Sequence, residues 1–296
     1  MEYDFYRILK AKKLAYDIDP NVLNCLLLIR QASETCFSSS SQLILEDVLN
    51  GNKASNKTPW EIVANTINFR NSDYISVIRY AMSLLKPQLP FFNALIANLQ
   101  FSEIDESALN EMINLLSCIS VEAMSLSTIY ESRLSKDARN TTLKYGDFYT
   151  PRCIVRCLLQ LLDLKRKATV YDPCCGSGAM FCIAEKLYPD ENLQFYGQTL
   201  DKIAYEICQM NLYLHSLYAD LGNKPANTFL EDLHINRQFD YIISNPPFNS
   251  SDWYDNTDIE RDKRWKYGIP PRKNANYAWL QHIISHLKGN GRAVVL

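Results

Sequence analysis

The chain has 296 residues, of which 47% are hydrophobic and 22% charged, and its formal net charge is −2. That length holds one large or two medium domains of ordinary globular composition. The near-neutral balance does not fit a stand-alone nucleic-acid binder, because phosphate contacts dominate such affinity and need a basic excess. No apolar run approaches a membrane span, and Met1-Glu2-Tyr3-Asp4-Phe5 lacks the basic and then apolar regions of a secretory signal. The nine cysteines show no framework spacing: Cys153 and Cys157 are four apart and Cys174 and Cys175 are adjacent. Without a signal, this points to reduced thiols in a cytoplasmic protein, each thiol a small buried hydrophobe.

In chain order, residues 1 to about 140 read as helical, with no strand alternation, repeat or catalytic constellation. Asp19-Pro20 forms an N-cap and first-turn pair ahead of Val22, Leu23, Leu26, Leu27 and Ile29. Thr58-Pro59-Trp60-Glu61 fits a capping box with proline at the first helical position. Leu109, Met112, Ile113 and Leu116 recur at helical spacing. The Ser38–Ser41 run and the segment from Asn50 to Lys57 read as loops. This half suits a packing or partner-docking domain. Its boundary falls in the polar stretch from Ser135 to Tyr145.

Beyond Gly146 the pattern alternates. Helices are expected over Pro151–Leu162 (Ile154, Leu158 and Leu161 on one side), Gly178–Leu187, Asp201–Leu217 (Ile203, Ile207, Met210 and Leu214 on one face) and Ala275–Leu287. Strands are expected over Ala168–Tyr171, Gln194–Gly197, Asp240–Ser244 and Arg292–Leu296, with another ending near Asn227–Asp232. Strands separated by helices imply a parallel, doubly wound sheet. Ligands of such sheets sit beyond the carboxyl ends of the strands, at the switch in strand order.

The run Tyr241-Ile242-Ile243-Ser244 leads straight into Asn245-Pro246-Pro247-Phe248. An amide, a rigid turn and an aromatic face at the tip of a buried strand can grip a planar amine. The amide and a backbone carbonyl take its N–H groups, and the ring stacks on its face. Proline has no N–H and a fixed φ, so the Pro-Pro step holds that geometry stiffly. Asn-Pro also begins ordinary turns, and the tetrapeptide alone leaves the two readings level. A second motif, Asp172-Pro173-Cys174-Cys175-Gly176-Ser177-Gly178, joins the first strand to its helix. Glycines there let the backbone pass close to a ligand. The dinucleotide fingerprint G-x-G-x-x-G lacks its third glycine, since Ala179, Met180 and Phe181 follow. A third stretch, Arg261-Asp262-Lys263-Arg264-Trp265-Lys266-Tyr267 with Arg272-Lys273, interleaves cations and aromatics, as a phosphate-and-base surface or a solvated loop would.

These motifs stand in a fixed order with Ile129-Tyr130-Glu131, Gly146-Asp147-Phe148-Tyr149-Thr150-Pro151, Tyr196-Gly197-Gln198-Thr199, Asn227-Thr228-Phe229, Arg264 to Gly268 and Asn274-Ala275-Asn276-Tyr277. In that order the chain closely resembles the modification (M) subunit of type I restriction–modification systems, DNA adenine-N6 methyltransferases. The leading Asp-Pro is typical of S-adenosylmethionine sites in class I methyltransferases. The resemblance covers roughly residues 120 to 296; the N-terminal third matches only in being helical.

The resemblance implies an α/β protein: a helical domain over 1–140, then a class I (Rossmann-like) methyltransferase domain over 141–296 with a doubly wound sheet. It implies S-adenosyl-L-methionine as cofactor, DNA as substrate, and a specificity (S) subunit, a second M subunit and a restriction (R) subunit as partners, with no membrane. Phe148, Tyr149, Thr150 and Pro151 would bind the cofactor, the last three at its methionine end. Asp172, Pro173, Gly176, Ser177 and Gly178 would shape its pocket. Thr199 would face the ribose hydroxyls and Asn227 the cofactor's adenine. Asn245 and the carbonyl of Pro246 would accept the N6 amine of a flipped adenine, Pro247 would stiffen the turn, and Phe248 would stack on the base. Arg264, Trp265, Lys266 and Tyr267 would face DNA.

Three departures qualify this reading. Thr199 stands where the family usually has a carboxylate; Asp201 is two residues on but is not counted as its replacement. Asn227 replaces a frequent Asp, its amide still expected to offer an acceptor to the cofactor's adenine. The sequence stops within a run expected to be a central strand, where class I methyltransferases continue with two more strands, so a truncated sheet is expected. Weak cofactor binding follows from the first. Two alternatives remain: an inactive scaffold that still docks partners, or a methyltransferase acting on protein glutamine or another base. His282 and His286, four apart, read as ordinary helix-surface histidines, His215 and His234 as unremarkable, and no metal is assigned.

Overall fold

A computed structural model of the chain describes residues 10–15, 18–36, 58–66, 74–85, 89, 105–119, 125–137, 150–254 and 257–296. They fall into two compact units, Met1–Lys136 and Asp137–Leu296. The Ser38–Ser41 and Asn50–Lys57 loops and most of the Ser135–Tyr145 boundary lie outside the described residues.

The first unit is helical where described: α1 (Pro20–Thr35), α2 (Pro59–Thr66), α3 (Tyr74–Leu85), α4 (Glu106–Cys118) and α5 (Ser125–Asp137). Asp19 caps α1, its carboxylate accepting from the backbone of Asn21 at 2.9 Å and Val22 at 3.2 Å. The capping box on α2 closes in both directions. The backbone of Thr58 donates to Glu61 at 2.6 Å, and that of Glu61 to the Thr58 hydroxyl at 3.2 Å. Leu109, Met112, Ile113 and Leu116 form the buried stripe of α4. Arg30, on the buried helix α1, donates to the carbonyls of Leu116 (3.1 Å) and Ile119 (3.2 Å), groups the end of α4 leaves without helical partners.

The second unit is a five-stranded parallel sheet with a helix in three of its four strand connections. It runs α6 (Arg152–Leu162), β1 (Thr169–Asp172), α7 (Ala179–Leu187), β2 (Gln194–Gly197), α8 (Lys202–Leu214), β3 (Ala219–Asp220), β4 (Phe239–Ser244), a 3₁₀ turn at Thr257–Arg261, α9 (Asn276–Ser285) and β5 (Leu287–Val295). The strand order is β3-β2-β1-β4-β5, every pair parallel. The chain works outward from β1 to β3, then returns to lay β4 on the other side of β1. The switch in order therefore lies between β1 and β4, where a ligand crevice is expected. The core between sheet and helices holds Val155, Leu159, Val170, Phe181, Phe195 and Ile243.

Several expectations are corrected. Leu161 is 67% and Ile203 47% exposed. α6 buries the stripe Val155, Leu158, Leu159, Leu162, and α8 buries the expected Met210 and Leu214 together with Ala204, Cys208, Asn211 and Leu212. The third strand precedes Asn227, at Ala219–Asp220, and two residues are too few to carry a period. β5 begins at Leu287, five residues before the expected Arg292, with a register shift against β4. Cys118, Cys153 and Cys157 are exposed rather than core thiols. No helix among the described residues is long and apolar enough to cross a membrane.

Candidate active site

A cavity of about 880 Å³ opens at the carboxyl edge of the sheet, lined in part by Thr150, Asp172, Ser177, Thr199, Asn227 and Asn245. Pro173, Gly176, Pro246, Pro247 and Phe248 also line it. Pro151 and Gly178 flank it as the N-caps of α6 and α7. Phe148 and Tyr149 lie outside the described residues.

The turn after β1 is shaped by its glycines. Gly176 and Gly178 take φ of 53° and 71°, the left-handed region that favours glycine. A Cβ on Gly178 would also stand 2.7 Å from the Cys208 sulfur on α8. The turn is braced from α8 as well, since the Asn211 amide donates to the Ser177 carbonyl at 3.0 Å. Asp172 points into this turn. Its Oδ1 accepts from the backbone of Cys174 at 3.0 Å and from the Ser244 hydroxyl at 2.8 Å, which ties the tips of β1 and β4 together. Burial pushes its carboxyl up to about 6, against the pull of these hydrogen bonds.

At the tip of β4, the Asn245 amide donates to the Thr150 hydroxyl at 3.0 Å. Its Oδ1 is buried with no protein partner, as is the Ser177 hydroxyl. A buried polar atom left unpaired is costly unless something else supplies the bond. Phe248, on the same wall, is 63% exposed. Asn227 Oδ1, the expected acceptor, is taken by the backbone N–H of Phe229 at 2.9 Å, which leaves its amide nitrogen as the group able to meet a ligand. Asp201 caps α8 by accepting from Ala204 at 2.9 Å, yet it also lines the cavity beside buried Thr199.

Sequence reasoning missed three contributors. Gln198, fully buried, donates to the carbonyls of Ala226 (3.2 Å) and Glu231 (2.7 Å) and accepts from Leu233 (3.1 Å), so it pins the loop that carries Asn227. Trp253 and Trp279 line the cavity and pack with Phe229 and Trp265 in one aromatic cluster. The only signal for these was a polar residue at a strand end and tryptophans flanking the motifs.

The expected DNA-facing set divides. Lys266 and Tyr267 are exposed, but Trp265 is buried and the Arg264 side chain is only 13% exposed and spent on protein acceptors. The histidines of α9 are also corrected: His282 is fully buried and His286 nearly so. Arg264 donates to His282 Nδ1 at 3.1 Å. His282 Nε2 therefore carries the proton and donates to the Tyr171 hydroxyl at 3.2 Å. Burial, then the neighbouring His286, holds His282 well below the ordinary histidine range. His286 lies 2.8 Å from Asp232 and donates to the Arg237 carbonyl at 2.8 Å. Asp232, His282 and His286 bring ligand-type atoms within 4.8 Å of one another. A guanidinium already bonded to His282 makes this a hydrogen-bonded network rather than a seat for a cation.

The family model for N-6 DNA methylases matches residues 122–296 of the chain. The chain belongs to the N-6 DNA methylase family. Among curated relatives of the chain, the HindI type I restriction enzyme methylase subunit of Haemophilus influenzae is 35% identical over 176 residues, 58% of this chain and 39% of that one. The MjaIX methylase subunit of Methanocaldococcus jannaschii is 37% identical over 175 residues, 56% of this chain and 31% of that one. The chain thus spans between 31% and 39% of the length of these two relatives. A type I restriction–modification methyltransferase subunit from Streptococcus thermophilus shares the fold, with a TM-score of 0.72 at 17% identity over 99% of this chain and 74% of that one.

Proposed function

We propose that this N-6 DNA methylase transfers a methyl group from S-adenosylmethionine to the N6 amine of adenine in DNA, as the modification subunit of a type I restriction–modification complex. The observation that carries the proposal is the unpartnered Oδ1 of Asn245, at the tip of β4, on the wall it shares with exposed Phe248 and the glycine turn. Asn245 and the Pro246 carbonyl accept the two N–H groups of the amine. This favours a pyramidal nitrogen whose lone pair is freed from the ring, so no strong base is needed before attack. Phe248 stacks on the extruded base. Flipping costs a few kcal/mol, and stacking on an aromatic returns about 1–3 kcal/mol.

The residues present fit the nucleoside cofactor. The polar lining combines an accepting buried carboxylate (Asp172), a close-approach glycine turn, an unpartnered Ser177 hydroxyl and the Asn227 amide. Asp172, Gly176, Ser177, Thr199 and Asn227 would hold the cofactor, with Thr150 and Pro151, and with Phe148 and Tyr149 ahead of them. When bound, it supplies a methyl group already activated on a sulfonium. The chain's contribution is then alignment, which can be worth several kcal/mol of barrier.

Target reading is assigned to a specificity subunit, with a second M subunit and a restriction subunit completing the complex. The test is methyl transfer from labelled cofactor to DNA by the reconstituted complex, with nucleoside analysis of the product. N6-methyladenine is the expected outcome. Assembly without adenine methylation would favour a docking role, which the uncharged Thr199 makes the second reading.

A further inference from the structure

We infer that Arg264 is a positioning residue: it locks the Asn227-Thr228-Phe229 loop against the cavity and thereby sets the affinity and base preference for the adenine half of the cofactor. The inference rests on the proposed cofactor site and adds a residue to it. An arginine side chain carries five N–H donors in a fixed fork. Nε faces the Asp262 carboxylate at 2.9 and 3.0 Å. Nη1 donates to the Thr228 carbonyl at 2.8 Å and to His282 Nδ1 at 3.1 Å. Nη2 donates to the Phe229 carbonyl at 2.6 Å and to Asp262 at 2.6 Å. Every donor is thus engaged inside the protein, and the guanidinium also lies 5.0 Å from the Trp265 ring. Such a group is not available to a phosphate.

What it holds is specific. Thr228 and Phe229 follow Asn227 in an irregular loop with no strand ladder to satisfy their carbonyls, and buried carbonyls need a donor. From the other side, the Thr228 hydroxyl donates to the Pro173 carbonyl at 2.6 Å. The loop is therefore fixed between the turn after β1 and Arg264. That fixes the Asx turn in which Asn227 Oδ1 accepts from Phe229, and with it the outward Nδ2. An amide N–H matches the unprotonated ring nitrogen of adenine and opposes the N–H that hypoxanthine carries there. Asp262 neutralises the guanidinium, and His282 presents an acceptor because its other nitrogen is held by Tyr171. Lysine cannot reproduce this, since one ammonium cannot reach four separated acceptor groups.

The experiment is titration calorimetry of the full chain with S-adenosylhomocysteine and with its analogue bearing hypoxanthine in place of adenine. Wild type is expected to bind the adenine form and to disfavour the other by about tenfold or more, the scale of one misplaced hydrogen bond to a buried group. Arg264→Lys and Arg264→Gln should weaken the adenine form by about tenfold and bring the two ligands close to equal affinity. Asp262→Asn keeps the guanidinium but loosens its anchor. It should move both quantities the same way by less, and it decides the matter if the arginine variants do not fold. Folded variants with wild-type affinity and wild-type preference would overturn the role of Arg264. A wild-type chain that binds neither ligand would overturn the cofactor site itself, a result distinct from any behaviour of the variants.

Discussion

Asn245 and Thr150 are 95 residues apart in sequence, yet their side chains meet at 3.0 Å, and this contact orients the amide. Asn245→Ala should abolish adenine methylation by the assembled complex while leaving cofactor binding nearly unchanged, as read by calorimetry beside a methylation assay. A variant that still methylates would show that the amide does not accept the amine. Thr199 invites the opposite experiment. It is buried and uncharged, and Asp201 already spends one oxygen capping α8. Cofactor binding should therefore be weak, and Thr199→Glu should tighten it by about tenfold, the worth of one charge-assisted hydrogen bond to a ribose hydroxyl. Tight, stoichiometric binding by the unmodified chain contradicts this. The place of the Asn-Pro-Pro-Phe turn, at a strand tip on the cavity wall, was legible because its signal is local: four adjacent residues carry amide, rigidity and ring. Arg264 was not, because a cation among aromatics looks the same whether it faces phosphate or carbonyls. Its deciding partners stand 36, 35 and 18 residues away. The α9 histidines failed for the same reason, since helical spacing alone does not say which face is covered.

Elements were legible where side chains close on their own backbone. The capping box of α2 is one case, and Thr58→Ala should cost about 1 kcal/mol of stability in the first unit, read by urea denaturation followed by circular dichroism. A loss indistinguishable from zero would mean the cap exchanges with water at no cost. Elements were poorly legible where tertiary pairing makes them. β3 has two residues and exists because it pairs with β2, and β5 extends back to Leu287 because β4 continues to pair with it. The glycine turn lies between these cases. Its sequence announces backbone freedom, but only the packing shows a second reason for Gly178, the Cys208 sulfur that would stand 2.7 Å from an added Cβ. Gly178→Ala should thus destabilise by more than the left-handed φ alone requires, of order 1 kcal/mol. Cys208→Gly should recover the steric part when combined with it, a coupling that a double-mutant cycle reads directly. Additive effects would leave strain in φ as the whole cause.

Across the second unit, two buried groups pull the pH dependence of stability in opposite directions. Burial lifts the Asp172 carboxyl from an ordinary 3.8 to about 6. Between those values the folded chain holds more protons than the unfolded one, so this group erodes stability as pH rises and the loss persists above pH 6. His282 is driven well below its ordinary 6.5, first by burial and then by His286. Below pH 6.5 the unfolded chain takes up the proton and the folded chain does not, so this group costs stability as pH falls. The two effects oppose each other from about pH 6 down towards pH 4, and the wild-type profile should be correspondingly shallow there. Asp172→Asn removes one of them while keeping an oxygen for Ser244 and Cys174. The variant should therefore be more stable than wild type at pH 8, where the wild-type carboxylate is ionised in its buried site. It should then lose stability more steeply than wild type between pH 6 and 4, because His282 is unopposed. Urea unfolding followed by tryptophan fluorescence in a Trp60→Phe background reports on this unit, since Trp253, Trp265 and Trp279 share its aromatic cluster and Trp60 is the fourth tryptophan of the chain. A variant no more stable than wild type at pH 8 would contradict the burial cost. The predicted gain would mean that the fold keeps an ionised carboxylate at the end of β1 against its own stability, as expected of a group held for a ligand.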